Sequence, residues 1–109
     1  MTRDDSLYLE HISESIAKIE KYISGVDEDN FMSNEQLQDA VIRQLQIIGE
    51  AAKRLTVDTT AKYSEVEWKD IAGMRDKLVH DYFGVDLDAV WDTVVHDLPI
   101  LKQALPTDS

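Results

Sequence analysis

Residues 33–55 read S-N-E-Q-L-Q-D-A-V-I-R-Q-L-Q-I-I-G-E-A-A-K-R-L. Leu37, Val41, Leu45, Ile48, Ala52 and Leu55 recur three and four residues apart, the spacing of a helix that buries one stripe. Ser33 with Gln36 three residues on fits a capping box, which predicts a helix opened by Ser33 and running to about Leu55. Gly49 interrupts it at a cost of about 1 kcal/mol relative to alanine, which a close helix crossing would explain.

The same period continues outward in both directions. Leu9, Ile12, Ile16, Ile19 and Ile23 predict an earlier helix from about Asp5 to Ser24, capped by Asp4, Asp5 or Ser6 and ended at Gly25. Asp27-Glu28-Asp29 reads as a solvated loop. Thr56 to about Val66 has no sustained period and predicts a loop with a helical turn near Ala61-Lys62-Tyr63. A third helix is expected from Glu67-Trp68 to about Tyr82, ending before Gly84. Asp86 can cap a fourth, whose stripe is Leu87, Val90, Trp91, Val94, Leu98, Leu101 and Leu105. Pro99 falls inside that stripe and predicts a kink or restart near Asp97. No stretch alternates like a strand. Short connections join antiparallel neighbours, so the expected fold is an all-α, antiparallel bundle of four to five helices in a single domain, residues 1–109.

Composition bounds the function. A chain of 109 residues with 43% hydrophobic content can form one core but not two. No cysteine is present, so disulfides and thiolate metal sites are excluded. No apolar run approaches the roughly 18 residues of a membrane span. The opening M-T-R-D-D-S is too acidic and polar for a signal peptide, so a soluble, cytoplasmic protein is expected. The net charge of −11 repels polyanions at long range and disfavours generic adhesion to nucleic acid. It leaves room for a local basic pocket.

Chemistry concentrates in Met74–Gly84, M-R-D-K-L-V-H-D-Y-F-G. On a continuous helix at ~100° per residue, Arg75 falls within ~20° of Tyr82, on the row of Trp68, Ile71 and Leu78. Asp76 and His80 are four apart and can pair across one turn. Two readings follow. Arg75 can lay its stem along the core edge while His80 pairs with Asp76 at the surface and Tyr82 packs. Alternatively, a guanidinium beside a titratable imidazole suits phosphodiester cleavage, because arginine grips phosphate bidentately and histidine moves protons near neutral pH.

Arg75, His80 and Tyr82 fit the R-x4-H-x-Y signature of the HEPN superfamily. The flanks A-V-I-R-Q-L-Q-I-I-G-E-A-A, V-E-W-K-D-I-A-G-M-R and H-D-Y-F-G-V-D-L-D-A-V-W resemble the HepT-like toxins, and the likeness spans nearly the whole chain. The resemblance implies a dimer that joins two motifs in one cleft and cleaves RNA without a metal or other cofactor. Arg75 would hold the scissile phosphate, His80 would act as general base or acid, and Asp76 would orient His80 or raise its pKa. It further implies the toxin role in a type VII HEPN/MNT toxin–antitoxin pair, with a minimal nucleotidyltransferase (MNT) partner that transfers AMP to Tyr82. Two Arg75 side chains, with Lys77 nearby, would make that shared cleft locally positive.

Other readings stand beside this one. A non-catalytic HEPN module would serve as a scaffold for a nucleotidyltransferase. A carboxylate-bridged metal bundle would need Glu-x-x-His pairs, but Tyr8, Lys77 and Thr93 precede His11, His80 and His96 by three. His11 and His96 read as surface histidines, and Trp68 and Trp91 as core or dimer contacts.

Overall fold

The computed structural model describes residues 3–73 and 86–106. All regular structure in these residues is helical. The six helices among the described residues are α1 (Arg3–Ile23), α2 (Glu28–Met32), α3 (Glu35–Lys53), α4 (Val57–Lys62), α5 (Trp68–Ala72) and α6 (residues 87–104). The last is one run in three parts: α-helix over Leu87–Asp92, a π-helical turn over Thr93–Asp97, and α-helix over Leu98–Ala104.

Packing of α1 on α3 supplies the centre of the core. Ile12, Ile16 and Ile19 of α1 meet Val41, Leu45 and Ile48 of α3, and all six are within 2% of complete burial. Burying one such side chain contributes about 1.5–3 kcal/mol. The two helices run antiparallel, because Asp5 at the start of α1 bonds Thr56 just beyond the end of α3. Helix α6 also runs back along α1. Trp91 packs on Phe31 with ring centroids 5.0 Å apart, Lys102 reaches Glu20, and Pro106 lies in a concavity with Ser6 and Leu9. The predicted stripe of α6 is buried at Val90, Val94, Leu98, Leu101 and Leu105, with Leu87 and Trp91 half-buried against it.

Several expectations need correction. Asn34, rather than Ser33, caps α3: its side-chain oxygen accepts from the Leu37 N–H at 3.1 Å. Ser33 is already engaged as the C-terminal cap of α2, its N–H donating to the Asp29 carbonyl at 3.2 Å. The acidic tract is no loop, because Asp27 caps α2 and places Glu28 and Asp29 in its first turn, where the helix dipole favours them. Phe31, fully buried, is what holds that short helix to the core. Thr56 likewise caps α4 where a loop was expected, its hydroxyl accepting from the Thr59 N–H. Short helices with one apolar anchor leave too little period to read. Helix α1 begins at Arg3, so Asp4, Asp5 and Ser6 lie inside it instead of capping it.

Pro99 acts as expected. It has no N–H to give the Val95 carbonyl and its ring crowds that oxygen, so the backbone widens into the π turn before α-helix resumes at Leu98. Gly25 ends the α1 region with φ +75°, and a Cβ there would meet nothing within 4 Å. Gly25→Ala is therefore expected to cost about 1–2 kcal/mol from backbone conformation alone, read as a lower midpoint in urea unfolding with an unchanged slope. Asp5→Ala, which strips the hydrogen bonds from Thr56 and Thr59, is expected to cost about 2–3 kcal/mol in the same assay. Val57→Ala, at an 81% exposed position, should change the unfolding free energy by less than about 0.5 kcal/mol.

Candidate functional site

Arg75, Asp76, His80 and Tyr82 lie outside the described residues, as does the rest of residues 74–85. What the structure does place is the scaffold on either side of them. Upstream, α5 packs on α3 through buried Ile71 and half-buried Trp68, whose indole N–H donates to the Tyr63 carbonyl at 2.9 Å. Downstream, Asp86 caps α6 by accepting from the Ala89 N–H at 3.1 Å, and Val90 anchors the helix in the core. Both chain ends leading to the motif are tied to the same core.

The upstream scaffold changes one part of the sequence reading. A single helix from Trp68 through Tyr82 was expected, yet α5 closes at Ala72. Gly73 is its C-terminal cap, its N–H donating to the Lys69 carbonyl at 3.0 Å. The ~100° phasing that aligned Arg75 with Trp68 and Ile71 assumes unbroken helix and does not carry across that cap. Ile71, moreover, is buried in its own chain at 6% exposure, so at that position the row faces the protein's own core.

The remaining candidates are placed directly. His96 is exposed and pairs with Asp92 at 2.8 Å, one turn away on the same helix. His11 is exposed on α1. Among the described residues no three His, Cys, Asp or Glu side chains group closely enough to hold a metal ion. Gln44 is 8% exposed on the inward side of α3, and its side-chain carbonyl oxygen has no hydrogen-bond donor among them.

Two of the concavities among the described residues differ sharply in charge. A cleft of about 340 Å³ lies between α1 and α3, with Tyr8 and His11 on one wall and Arg43, Gln46, Glu50 and Arg54 on the other. Arg54 donates to Glu50 at 3.5 Å, and contact with Tyr8, then with Glu50, raises the guanidinium pKa further, so it is always charged. A smaller cleft of about 230 Å³ lies between α5 and α6, with Glu65, Glu67, Asp70 and Asp97 around an apolar floor of Ile71 and Leu101. Its four carboxylates repel phosphates, so it is a poor place for nucleic acid. The α1/α3 cleft was not anticipated. Arg43, Ile47, Glu50 and Arg54 share one outer face of the predicted helix, but only tertiary packing brings Tyr8 and His11 opposite them.

The family model described as ribonuclease HepT-like matches residues 12–107, a span that includes the R-x4-H-x-Y residues. The chain belongs to the HepT-like ribonuclease family. A probable ribonuclease HepT of Thermococcus cleftensis is 44% identical over 94% of this chain and 93% of its own length. A protein of Methanocaldococcus jannaschii, whose name joins a gamma-glutamylcyclotransferase to a candidate RNase, is 48% identical over 96% of this chain. The chain spans only 47% of that longer protein. A candidate RNase of Caldanaerobacter subterraneus subsp. tengcongensis is 42% identical over 88% of this chain. No solved structure matches the chain. The HepT-like assignment agrees with the all-helical fold, and it makes ribonuclease the activity assigned by homology. No helix among the described residues is long and apolar enough to cross a membrane.

Proposed function

We propose that this HepT-like chain is a metal-independent endoribonuclease and the toxin of a type VII HEPN/MNT pair, working as a homodimer. The observation that carries the reading is an intact R-x4-H-x-Y, Arg75 to Tyr82, inside a family match spanning residues 12–107. In the proposed reaction an RNA 2′-hydroxyl loses its proton to a His80 imidazole and attacks the adjacent phosphorus. The bond to the 5′-oxygen breaks, and that oxygen takes a proton from an imidazolium. The products are a 2′,3′-cyclic phosphate and a 5′-hydroxyl end. Arg75 binds the non-bridging oxygens and stabilises the charge that builds on them. Asp76, four residues before His80 in the sequence, orients the imidazole. A two-fold pairing of motifs supplies one imidazole as base and one as acid.

Regulation is proposed at Tyr82. A partner nucleotidyltransferase moves AMP from ATP to the phenol oxygen and releases pyrophosphate. The adenylate adds bulk and negative charge beside the phosphate site and excludes RNA by repulsion.

Purified protein is expected to cut single-stranded RNA equally well with and without EDTA. Arg75→Ala and His80→Ala should each lose at least about a hundredfold in rate, whereas His96→Ala, on an exposed pair in α6, should stay close to the parent. Activity that survives both motif substitutions would belong to a contaminant. For the toxin–antitoxin role the measurement is intact mass after co-expression with a minimal nucleotidyltransferase. Whole AMP units should appear and should vanish in Tyr82→Phe; an unchanged mass would remove that part of the proposal.

A further inference from the structure

The α1/α3 cleft is unusual for so acidic a chain. Two of the four arginines, Arg43 and Arg54, line it, and Glu50 is its single carboxylate among the described residues. Arg43 is exposed and has no carboxylate partner among those residues. The Arg54–Glu50 pair is long at 3.5 Å, with both side chains about half exposed, so it is weak enough to be exchanged for a phosphate. The two guanidinium-bearing positions are eleven residues apart on one helix, roughly 16 Å along its axis. That is too far for one phosphate and suits a chain of them.

The rest of the lining fits the same ligand. Half-buried Tyr8 offers a ring to a base, since base–aromatic stacking tolerates any sequence. His11 and Gln46 can hydrogen-bond ribose hydroxyls and phosphate oxygens. Half-buried Ile47 and buried Ala51 give the cleft a narrow apolar floor. The end of the cleft is also held in place. Asp5, three residues before Tyr8, is bonded to Thr56, two residues after Arg54. Binding there therefore needs little rearrangement.

We infer that the cleft between α1 and α3, bounded by Arg43, Tyr8 and Arg54, is a second binding surface for single-stranded RNA, separate in sequence from the R-x4-H-x-Y motif. The choice of RNA rests on the ribonuclease reading; the charge and shape of the cleft do not. Contacts are to backbone and ring faces, so the surface sets affinity and path and not sequence preference.

The test uses the full chain and a fluorescein-labelled 2′-O-methyl oligouridylate longer than the cleft, which has no free 2′-hydroxyl and cannot be cut. Affinity is measured by anisotropy over a range of salt. Arg43→Glu alone should weaken binding several-fold, and Arg43→Glu with Arg54→Glu about tenfold or more. The double variant should also flatten the log–log salt slope by about 1.4, the share of two single-strand phosphate contacts. Lys102→Glu makes the same charge change on α6 and should have less than about a twofold effect. Circular dichroism on each variant confirms the helical fold. Unchanged binding in Arg43→Glu and the double variant, or an equal loss in Lys102→Glu, overturns the inference. So does a change of oligomeric state by sedimentation with no change in RNA affinity, which would assign the face to protein contacts. Cleavage of unmodified RNA is followed in parallel. Absent cleavage with arginine-dependent binding would defeat the nuclease reading and leave the cleft standing; cleavage with arginine-independent binding would do the reverse.

Discussion

A buried carboxylate sets the geometry of the α1–α3 pair. Asp5 is 1% exposed, and a charge so far from water is costly unless polar groups replace the water it lost. The Thr56 N–H at 3.3 Å and the Thr56 hydroxyl at 2.5 Å donate to it, as does the Thr59 hydroxyl. The Thr56 hydroxyl also accepts from the Thr59 N–H and so caps α4. One side chain thus joins the start of α1 to the end of α3 and the start of α4. The apolar stripes can slide by a turn at modest cost, since Ile and Leu interchange readily in a core. A carboxylate bonded to two particular threonines cannot, so it fixes the register in which Tyr8 faces Arg54 and Ile16 faces the core.

Much of this arrangement is legible in the residues. The three long stripes are real because each holds its period over three or more turns, which a short segment cannot do. Leu45, Ile48, Val90 and Leu101 could be named as core from spacing alone, and so could the disturbance at Pro99. Phe31 and Thr59 could not. Each is a single buried residue in a helix of five or six residues, held by contacts far away in sequence. Asp5 shows the limit most clearly. An aspartate near a helix start reads as a cap, but its partners lie about fifty residues on and only folding reveals them.

The site divides in the same way. Its chemical signature is local, because R-x4-H-x-Y needs only side chains a few positions apart, and that much is visible in Met74–Gly84. Its orientation is not local. Extending the helical phase from Trp68 to Arg75 looked safe from pattern, yet the C-terminal cap at Gly73 breaks the count. Gly73 closes the helix with φ −81°, a conformation any residue can adopt, so nothing in the local pattern marks that stop.

The acidity of the chain can be reconciled with the proposed RNA substrate through the distribution of charge. A net charge of −11 sets the far field, and beyond a Debye length of about 8–10 Å salt screens most of it. Within that distance the nearest groups dominate. In the α5/α6 cleft these are four carboxylates, whereas in the α1/α3 cleft they are two guanidinium groups and one carboxylate already bonded to one of them. Among the described residues, one concave surface is therefore lined mainly by acids and another by more arginines than acids. For the proposed RNA-cutting role, diffuse negative charge would have a use: it would weaken adhesion except where arginines outnumber acids, so binding would depend on position more than on bulk attraction.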